Sequence, residues 1–212
     1  MKRLFTLLIL SVLVCTSISA QRTDFRKFAE RYKTVNTLIA KVRQTRHNEA
    51  LTKDIVTNGH FYYRKPGNYS MVFRESEEML IASGNSFIMV RDGKQHVAKA
   101  KGKGNNPFEI IQDVFRKLLS ADRDANLSDM ADVKLEIQDH VCTITIKPIV
   151  TNTKVKRRSM FTSCIASVDL KAIELCSLRI NERGENYTQY DFSNYVFDAE
   201  VSDNVFDSQT MM

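Results

Sequence analysis

The residues best suited to acid–base or metal chemistry in this sequence are its four histidines, His47, His60, His96 and His140. A zinc hydrolase helix requires the spacing His-Glu-x-x-His, and a serine hydrolase elbow requires Gly-x-Ser-x-Gly. Neither motif occurs in the chain. The histidines fall on separate predicted strands and turns, which favours scattered surface positions. A metal cluster or acid pair assembled from distant segments is the competing, enzymatic interpretation.

A different chemistry is indicated by the stretch GHFYYRKPGNYSMVF, residues 59–73. Two aromatic-rich runs flank the sequence KPGN at residues 65–68, which predicts a β-hairpin with a tight turn. Alternation places Tyr69, Met71 and Phe73 on one side of the second run. Such a surface is suited either to ordinary core packing or to the wall of a site for an apolar ligand.

The chain opens with the pattern of an export signal: a Lys-Arg pair, an apolar run and a stretch of small residues ending at Ala20. Such leaders are removed after secretion. Cleavage after Ala20 gives a signal peptide over residues 1–20 and a mature exported domain over residues 21–212. Cys15 raises the alternative of a lipid-anchored protein, but Val14 stands where a lipoprotein signal needs a small residue. A soluble mature protein is therefore expected.

Bulk composition narrows the range of partners. The formal charge of +6 includes two basic residues of the leader, so the mature chain is only mildly basic. No later apolar run approaches the ~18 residues that cross a bilayer, and no membrane anchor is expected. Basic clusters at residues 94–103 and 154–158 indicate a solvated face or, alternatively, a surface for anionic lipid or an acidic partner. An exported chain without a nucleic-acid-binding motif predicts no nucleic acid partner.

Three cysteines follow the leader: Cys142, Cys164 and Cys176. Cys164 and Cys176 lie almost symmetrically about a turn expected at residues 169–171, so the geometry allows a cross-strand disulfide between them. Cys142 shares the apolar alternation of its strand, which is typical of a small buried hydrophobe.

Alternation dominates most of the chain. Apolar residues have helical spacing over residues 23–32, and the period then changes to two. Short turn signals separate the alternating runs, so neighbouring strands pair antiparallel in a long meander, and so large a sheet must curl to bury one face. Eleven strands are predicted, at 38–46, 54–65, 68–74, 78–82, 86–91, 94–100, 133–138, 141–147, 156–167, 172–181 and 186–196.

One segment interrupts the alternation. An Asn-Pro pair supplies an N-cap and a residue suited to the first turn, and predicts a helix over residues 107–120. Phe108, Ile111 and Phe115 follow at helical spacing and form its apolar face. Glycine-rich and polar runs flank the segment, which favours a hinged lid across the mouth of the sheet. A permanent plug is the alternative.

Turns at residues 75–76 and 84–85 fix a register for three consecutive strands and place five apolar side chains on one face. We expect this face to be the concave one that contacts an apolar ligand. The set is Met71, Phe73, Leu80, Phe87 and Met89. A register error of one residue would exchange it for the opposite set, Val72, Met79, Ile81 and Ile88.

These pieces, in this order, resemble the LolA family, the periplasmic carriers of outer-membrane lipoproteins. Each piece is short, so the resemblance depends on their order and spacing across most of the mature chain. The pieces are the N-terminal helix leading into VRQTRHN, the hairpin GHFYYRKPGNYSMVF, the apolar hairpin MLIASGNSFIMV, the helix start NNPFEII and the closing run ERGENYTQYDFSNYVFDAEVSDNVFD.

The resemblance implies a mainly β (α+β) fold, an incomplete antiparallel β-barrel (half-barrel) of about 11 strands closed by a helical lid. Its hydrophobic cavity would receive the acyl chains of a lipoprotein. The five apolar residues of the expected concave face would contact those chains, together with Phe108, Ile111 and Phe115 of the lid.

The resemblance also implies a docking site. The family's proline turn and adjoining aromatic residue dock on the inner-membrane release machinery, an ABC transporter, and they match Lys65, Pro66 and Tyr69. The family often has arginine before the proline, and lysine lacks its planar fork of donors. The tryptophans common in the family's strands are absent.

The family's role implies a carrier that shuttles lipoproteins from the inner to the outer membrane, as a monomer, without enzymatic activity, cofactor or metal. Its outer-membrane acceptor is left open. Each methylene kept from water is worth about 0.8 kcal/mol, so a long acyl chain needs a cover when it crosses an aqueous space. Two alternatives are a lipoprotein-sensing regulatory protein on a similar half-barrel and a periplasmic hydrolase.

Overall fold

The computed structural model describes residues 30, 32, 34–83, 86–91, 93–99, 110, 129–151, 153–159 and 161–211. Eleven strands account for most of them: β1 (Thr37–His47), β2 (Ile55–Arg64), β3 (Asn68–Phe73), β4 (Glu78–Ser83), β5 (Ser86–Arg91), β6 (Lys94–Lys99), β7 (Ala131–Gln138), β8 (Val141–Pro148), β9 (Phe161–Asp169), β10 (Glu174–Glu182) and β11 (Tyr187–Phe197). One short helix, α1 (Thr153–Arg158), precedes β9, and 3-10 turns occur at Arg74–Ser76, Asp203–Phe206 and Ser208–Met211.

All eleven strands form one antiparallel sheet in the order β6-β5-β4-β3-β2-β1-β11-β10-β9-β8-β7. Two meanders, β1 to β6 and β7 to β11, join at the centre where β1 pairs with β11. The outermost strands, β6 and β7, are not neighbours in this order, so the sheet does not close into a barrel. The predicted mainly β fold with an incomplete antiparallel barrel of eleven strands is confirmed.

The sheet curls towards one face, as two aromatic contacts demonstrate. Strands β3 and β11 are three places apart, which is about 14 Å in a flat sheet. The rings of Phe73 and Tyr190 nevertheless lie 6.4 Å apart between centroids. Phe61 of β2 and Phe192 of β11, two places apart, meet edge to face at 5.4 Å. We call the face that carries these four rings the inner face.

Gly59 of β2 provides the room for this curl. Its side-chain position lies on the inner face, opposite Val42 of β1. A Cβ atom built there would press on the backbone oxygen of Val72 and lie 2.6 Å from a ring carbon of Phe73. The ring of Phe73, which is fully buried, therefore lies over a strand that offers no side chain in its way.

Two apolar clusters share the inner face and meet at Leu175 and Leu178. One lies over β1 to β4 and β11, around Val42, Phe73 and Phe192. The other lies over β7 to β10 and consists mainly of residues from β8 and β9, with the helical residue Ile110 added; its buried members are Ile110, Ala131, Cys142, Ile144, Ile146, Cys164, Ala166 and Val168.

The opposite, outer face of β3 to β5 is covered by the C-terminal segment. The 3-10 turns at 203–206 and 208–211 pack on these strands, above a third cluster made of Val72, Met79, Ile81 and Val90. Arg64 holds the segment: its guanidinium bonds to Asp203 and to the backbone oxygen of Val201, and lies 4.9 Å from the ring centroid of Phe206. The outer face of β4 is therefore covered.

Most predicted strand bounds agree with the structure to within two or three residues. Residues 156–158 are an exception, because they were expected to begin a strand and belong to α1 instead. The helix sequence TKVKRR holds one apolar residue, too few for the alternation of a half-buried strand. No helix among the described residues is long and apolar enough to cross a membrane.

Other predictions fall largely or wholly on residues outside the described ranges. The signal peptide over 1–20 lies outside them, as do Phe108, Ile111 and Phe115 of the predicted lid. In the predicted N-terminal helix, Glu30 and Tyr32 are described, and both are helical.

The three cysteines are free. Cys164 lies opposite Ile180 in the β9–β10 ladder, and Cys176 falls at an irregularity of β10. The expected symmetry of Cys164 and Cys176 is wrong because the turn lies further along the chain, with Glu174 opposite Asp169. Burial raises the thiol pKa of Cys142 to about 11 and that of Cys164 to about 12, so both remain protonated at neutral pH.

We expect the substitution Gly59→Ala to destabilise the fold by about 2 to 3 kcal/mol, because the added methyl overpacks the contact with Phe73. Urea unfolding would measure the change. The control is Gly93→Asn, at a turn glycine with a φ of +66° and open space around it; asparagine tolerates that backbone region. Equal unfolding midpoints for the two variants would contradict the proposed origin of the curl.

A second prediction concerns the β9–β10 turn. Asp169 Oδ1 accepts the N–H groups of Lys171 and Ala172, both at 2.8 Å. The bond from Ala172 is the main cause that holds the pKa of Asp169 below its ordinary value of 3.8, with partial burial opposing it. The bond from Lys171 and the nearby charge of His140 lower it further.

A carboxyl group with a lowered folded-state pKa stabilises the fold above its unfolded pKa and loses that contribution as pH falls through the folded value. Asp169→Asn should therefore reduce stability at pH 6 and have a smaller effect near pH 2. Urea midpoints at the two pH values test this. The matched change Asp132→Asn, at an exposed position of β7, should have no comparable effect.

Candidate functional site

The register of β3, β4 and β5 is the predicted one. Met71 lies opposite Leu80, Leu80 opposite Met89, and Ala82 opposite Phe87. The pairing continues through Phe61 of β2 to β1, so this set shares the inner face with Val42 and Phe192. The alternative set, with Met79 and Ile81, faces outward beneath the C-terminal segment.

The five predicted residues do not contribute equally to the surface of the inner face. Phe73 is fully buried between Gly59 and Tyr190, at the bottom of the curled inner face. Met71, Leu80, Phe87 and Met89 are only partly buried. These four side chains form an apolar wall with accessible surface, and we call them the apolar wall.

One end of the wall is aromatic. Tyr63 lies opposite Tyr69 where β2 and β3 approach their connecting turn, and Phe87 begins the inner face of β5 at the same end. Tyr69 is 38% exposed, and burial raises the pKa of the Tyr63 hydroxyl. We call this the aromatic end.

The predicted docking turn lies at the aromatic end. The Lys65–Pro66 peptide bond is cis, and Gly67 has a φ of +115° that favours glycine. The Lys65 N–H donates to the backbone oxygen of Asn36 at 2.8 Å, and Gly67 N–H donates to that of Arg64 at 3.2 Å. The structure thus brings Lys65, Pro66 and Tyr69 to one edge of the apolar wall.

The other end of the wall carries charge, which the sequence reasoning missed. Glu78 Oε1 accepts from Arg46 Nη1 at 2.9 Å and from Arg91 Nε at 2.6 Å. The Glu78 side chain is only 8% exposed. Strands β1 and β4 are three places apart, so this ion pair also depends on the curl. The alternation of the strands could have indicated this charged end. Glu78 is two residues from Leu80, and Arg46 is four residues from Val42, so each points to the same face as that apolar residue.

A neutral polar group adjoins the ion pairs. Gln44 donates from Nε2 to the Tyr190 hydroxyl at 3.4 Å, and Thr57 donates to Gln44 Oε1 at 3.3 Å. Burial is the main cause that raises the pKa of Tyr190, so the hydroxyl is neutral at physiological pH. Together these groups separate the apolar surface around Phe73 from the charged end.

The four histidines lie on separate elements. His47 stacks on Tyr187 at 5.0 Å, with Nδ1 2.7 Å from Asp54 Oδ1; His140 Nε2 is 3.5 Å from Asp169 Oδ2. His60 lies in β2, and His96 lies opposite Met89 in β6. Within the described part of the chain, no group of three or more histidine, cysteine or carboxylate side chains is placed to hold a metal ion.

A shallow polar cavity of about 420 Å³ lies around the β10–β11 turn, and it is separate from the apolar wall. Two side chains of this cavity stack on the Tyr187 ring: the guanidinium carbon of Arg179 is 3.6 Å from the ring centroid, and the centroid of the His47 ring is 5.0 Å from it. Among the described residues, none of those predicted to bind lipid or a docking partner lines this cavity.

Solved structures of similar chain architecture include a DUF1329 family protein from Desulfovibrio piger, with 11% identity and a TM-score of 0.46 over 92% of this chain and 98% of that one. The lipoprotein LppX from Mycobacterium tuberculosis is 14% identical, with a TM-score of 0.41 over 87% and 98%. A LolA superfamily protein from Nitrosomonas europaea is 7% identical, with a TM-score of 0.39 over 84% and 92%.

Among curated proteins, none matches the chain significantly in sequence. A family model described as outer membrane lipoprotein carrier protein LolA matches residues 33–209. The match takes in all eleven strands, the predicted helix over 107–120 and the C-terminal 3-10 turn at 203–206. The chain belongs to the LolA family of outer membrane lipoprotein carrier proteins.

Proposed function

We propose that this chain is a carrier that covers the acyl chains of lipoproteins with the inner face of its sheet and shuttles them from the inner to the outer membrane. The observation that carries the proposal is the apolar wall: four partly buried apolar side chains lie together on the face towards which the sheet curls. Membership of the LolA family supports it.

The chemistry of the wall suits a flexible hydrocarbon ligand. Two of its four side chains, Met71 and Met89, are unbranched and polarisable, and such side chains adapt to irregular apolar surfaces. Leu80 lies between them, opposite Met71 on one side and Met89 on the other. A row of this kind favours burial of methylene groups without selecting one shape. Hydrophobic transfer makes and breaks no covalent bond, so the proposed carrier needs no catalytic group or cofactor.

The second half of the inner face offers a place for the proposed lid. Ile110 lies within the predicted helix over 107–120, is itself helical and is only 1% exposed. It packs in the cluster that includes Cys142, Ile144 and Cys164. In the proposed carrier, acyl chains replace part of the contact between this segment and the sheet, and the segment returns when the cargo leaves.

The proposed route starts with export. The signal peptide over residues 1–20 would direct the chain to the periplasm, where a lipoprotein leaving the inner membrane must be shielded from water. The aromatic end, with Lys65, Pro66 and Tyr69, would dock on the inner-membrane release transporter. In the proposed carrier, cargo would enter beside the turn where the partner docks.

Replacing Phe87 by glutamate should weaken binding of a neutral fluorescent monoacylglycerol at least tenfold, because a carboxylate in the wall must be desolvated when an acyl chain covers it. Fluorescence titration would measure the dissociation constant. The control is Val97→Glu on the neighbouring strand β6, at an outer-face position that is 53% exposed. Unchanged affinity in a folded Phe87→Glu sample would contradict the role of the wall.

Changes at the docking turn should separate delivery from binding. The double substitution Lys65→Ala with Tyr69→Ala is expected to reduce release of lipoprotein from spheroplasts at least fivefold and to leave monoacylglycerol affinity within a factor of two. The measurement is the amount of lipoprotein recovered in soluble complex with the carrier. Val56→Ala, at an exposed position near the other end of β2, serves as control. Normal release by the double variant would exclude the turn as the docking site.

A further inference from the structure

We infer that the charged end of the inner face binds the anionic head group of an acylated ligand, a phosphate or a carboxylate, while the acyl chain lies on the apolar wall. The inference rests on the proposed lipid-carrying function and narrows its cargo to acylated ligands with a negative group beside the acyl chain, such as a carboxylate of the lipoprotein's own polypeptide. It assigns a role to side chains that neither cover hydrocarbon nor lie near the docking turn.

The charges on this half of the inner face are gathered at one end and are unequal. In β1 to β6 the pairing register places four charged side chains on the inner face: Arg46, Glu78, Arg91 and Lys94. Three cations thus face one carboxylate. Arg91 lies between Glu78 and Lys94, opposite one residue in each neighbouring strand. Among these strand residues positive charge is in excess, which favours an additional anion over a cation.

Hydrogen bonding points the same way. The Arg46 and Arg91 guanidinium groups both donate to the same oxygen of Glu78. Arg46 Nε is buried and has no acceptor among the described residues. Buried donors normally have a partner, so an orphaned one calls for a specific explanation. A phosphate or carboxylate presents several acceptor oxygens to such donors and matches the planar fork of arginine.

The site is reachable from solvent. Exposure increases from Glu78, at 8%, through Arg46, at 23%, to Arg91, at 40%, and Lys94 beyond them is exposed. A head group entering over β5 and β6 therefore meets Lys94 and Arg91 before it reaches the buried donor of Arg46. Its own hydration is replaced stepwise by charged donors, which reduces the cost of desolvation.

The spacing fits a molecule with a head and a tail. Glu78 is two residues from Leu80, and Arg91 is two residues from Met89, so the charges lie about 7 Å along the strands from the apolar wall. A tail that starts at the charged end crosses Met89 and Leu80 and reaches the aromatic end after about another 7 Å. Polar and apolar parts of the inner face thus follow one another in the order found in an anionic lipid.

A purely structural function for Glu78 and its two arginines is the competing interpretation, because these ion pairs also tie β1, β4 and β5 together. That function predicts no preference among ligands. It also leaves the excess positive charge and the unpaired Arg46 Nε without a role. The two interpretations therefore differ in how the protein ranks a charged and an uncharged ligand with the same tail.

The test compares lysophosphatidic acid with monoacylglycerol of the same acyl chain. Each competitor displaces a neutral fluorescent monoacylglycerol from the protein, and all lipids are kept below their critical micelle concentrations. Wild-type protein should bind the phosphate-bearing ligand at least tenfold more tightly, because a hydrogen bond between charged groups contributes enough free energy for a tenfold difference in affinity. Arg91→Gln should reduce the preference to about twofold or less, with monoacylglycerol affinity unchanged. It keeps the buried Arg46–Glu78 pair, so the fold should persist.

The matched control is Arg43→Gln, on the outer face of β1, where the side chain is 61% exposed and 3.9 Å from Asp191; it should retain the full preference. Lys94→Gln, at an exposed position, provides a second test that is independent of the ion pairs and should reduce the preference at least threefold. Both variants are checked for an unchanged urea midpoint.

The outcomes are distinguishable. Equal affinity of wild type for the two ligands would overturn the head-group inference and leave the carrier function standing. Failure to bind either ligand would instead count against the proposed function. If inorganic phosphate alone binds as tightly as lysophosphatidic acid, the site recognises a free anion, and the inference about an amphiphile is wrong.

Discussion

The rest of the inner face depends on one contact, in which the ring of Phe73 lies across Gly59 and packs against Tyr190. It links β3 to β11 across two intervening strands, a distance that side chains of a flat sheet do not bridge. The same curvature lets Arg46 of β1 reach Glu78 of β4. One missing side chain, at Gly59, thus permits both the apolar surface and the charged end.

Coverage of the outer face determines which surface is left for a ligand. Apolar side chains occur on both faces of β3 to β5, and a sheet of this kind must bury both. The C-terminal segment, held by Arg64, covers the outer set around Met79 and Ile81. On the inner face, Leu80 and its neighbours retain accessible surface. The two faces of one strand, similar in composition, therefore differ in how much apolar surface they leave accessible.

Local signals sufficed for the strands, because alternation and turn residues specify them, and two short turns fixed the register that places Met71, Leu80 and Met89 in one row. The pairing of β1 with β11 was not predictable in this way, since 139 residues separate the ends of these strands, His47 and Tyr187, and no local pattern records their contact. Sequence reasoning did not single out Glu78 or Arg46, although alternation places both on the same face as Leu80 and Val42. Only the curl, which is a property of the whole sheet, brings them together.

The division of the inner face has a consequence for reversible transport. Ten fully covered methylenes are worth about 8 kcal/mol, close to micromolar affinity before the entropy cost of binding is subtracted. In the proposed carrier, the apolar wall would cover a chain from one side only, so it would supply a part of this free energy and hold the tail weakly. Tighter holding requires a second cover, and in the proposed carrier the segment that contains Ile110 provides it. If that cover separates from the sheet as proposed, release would require its displacement and not the breaking of every contact at once.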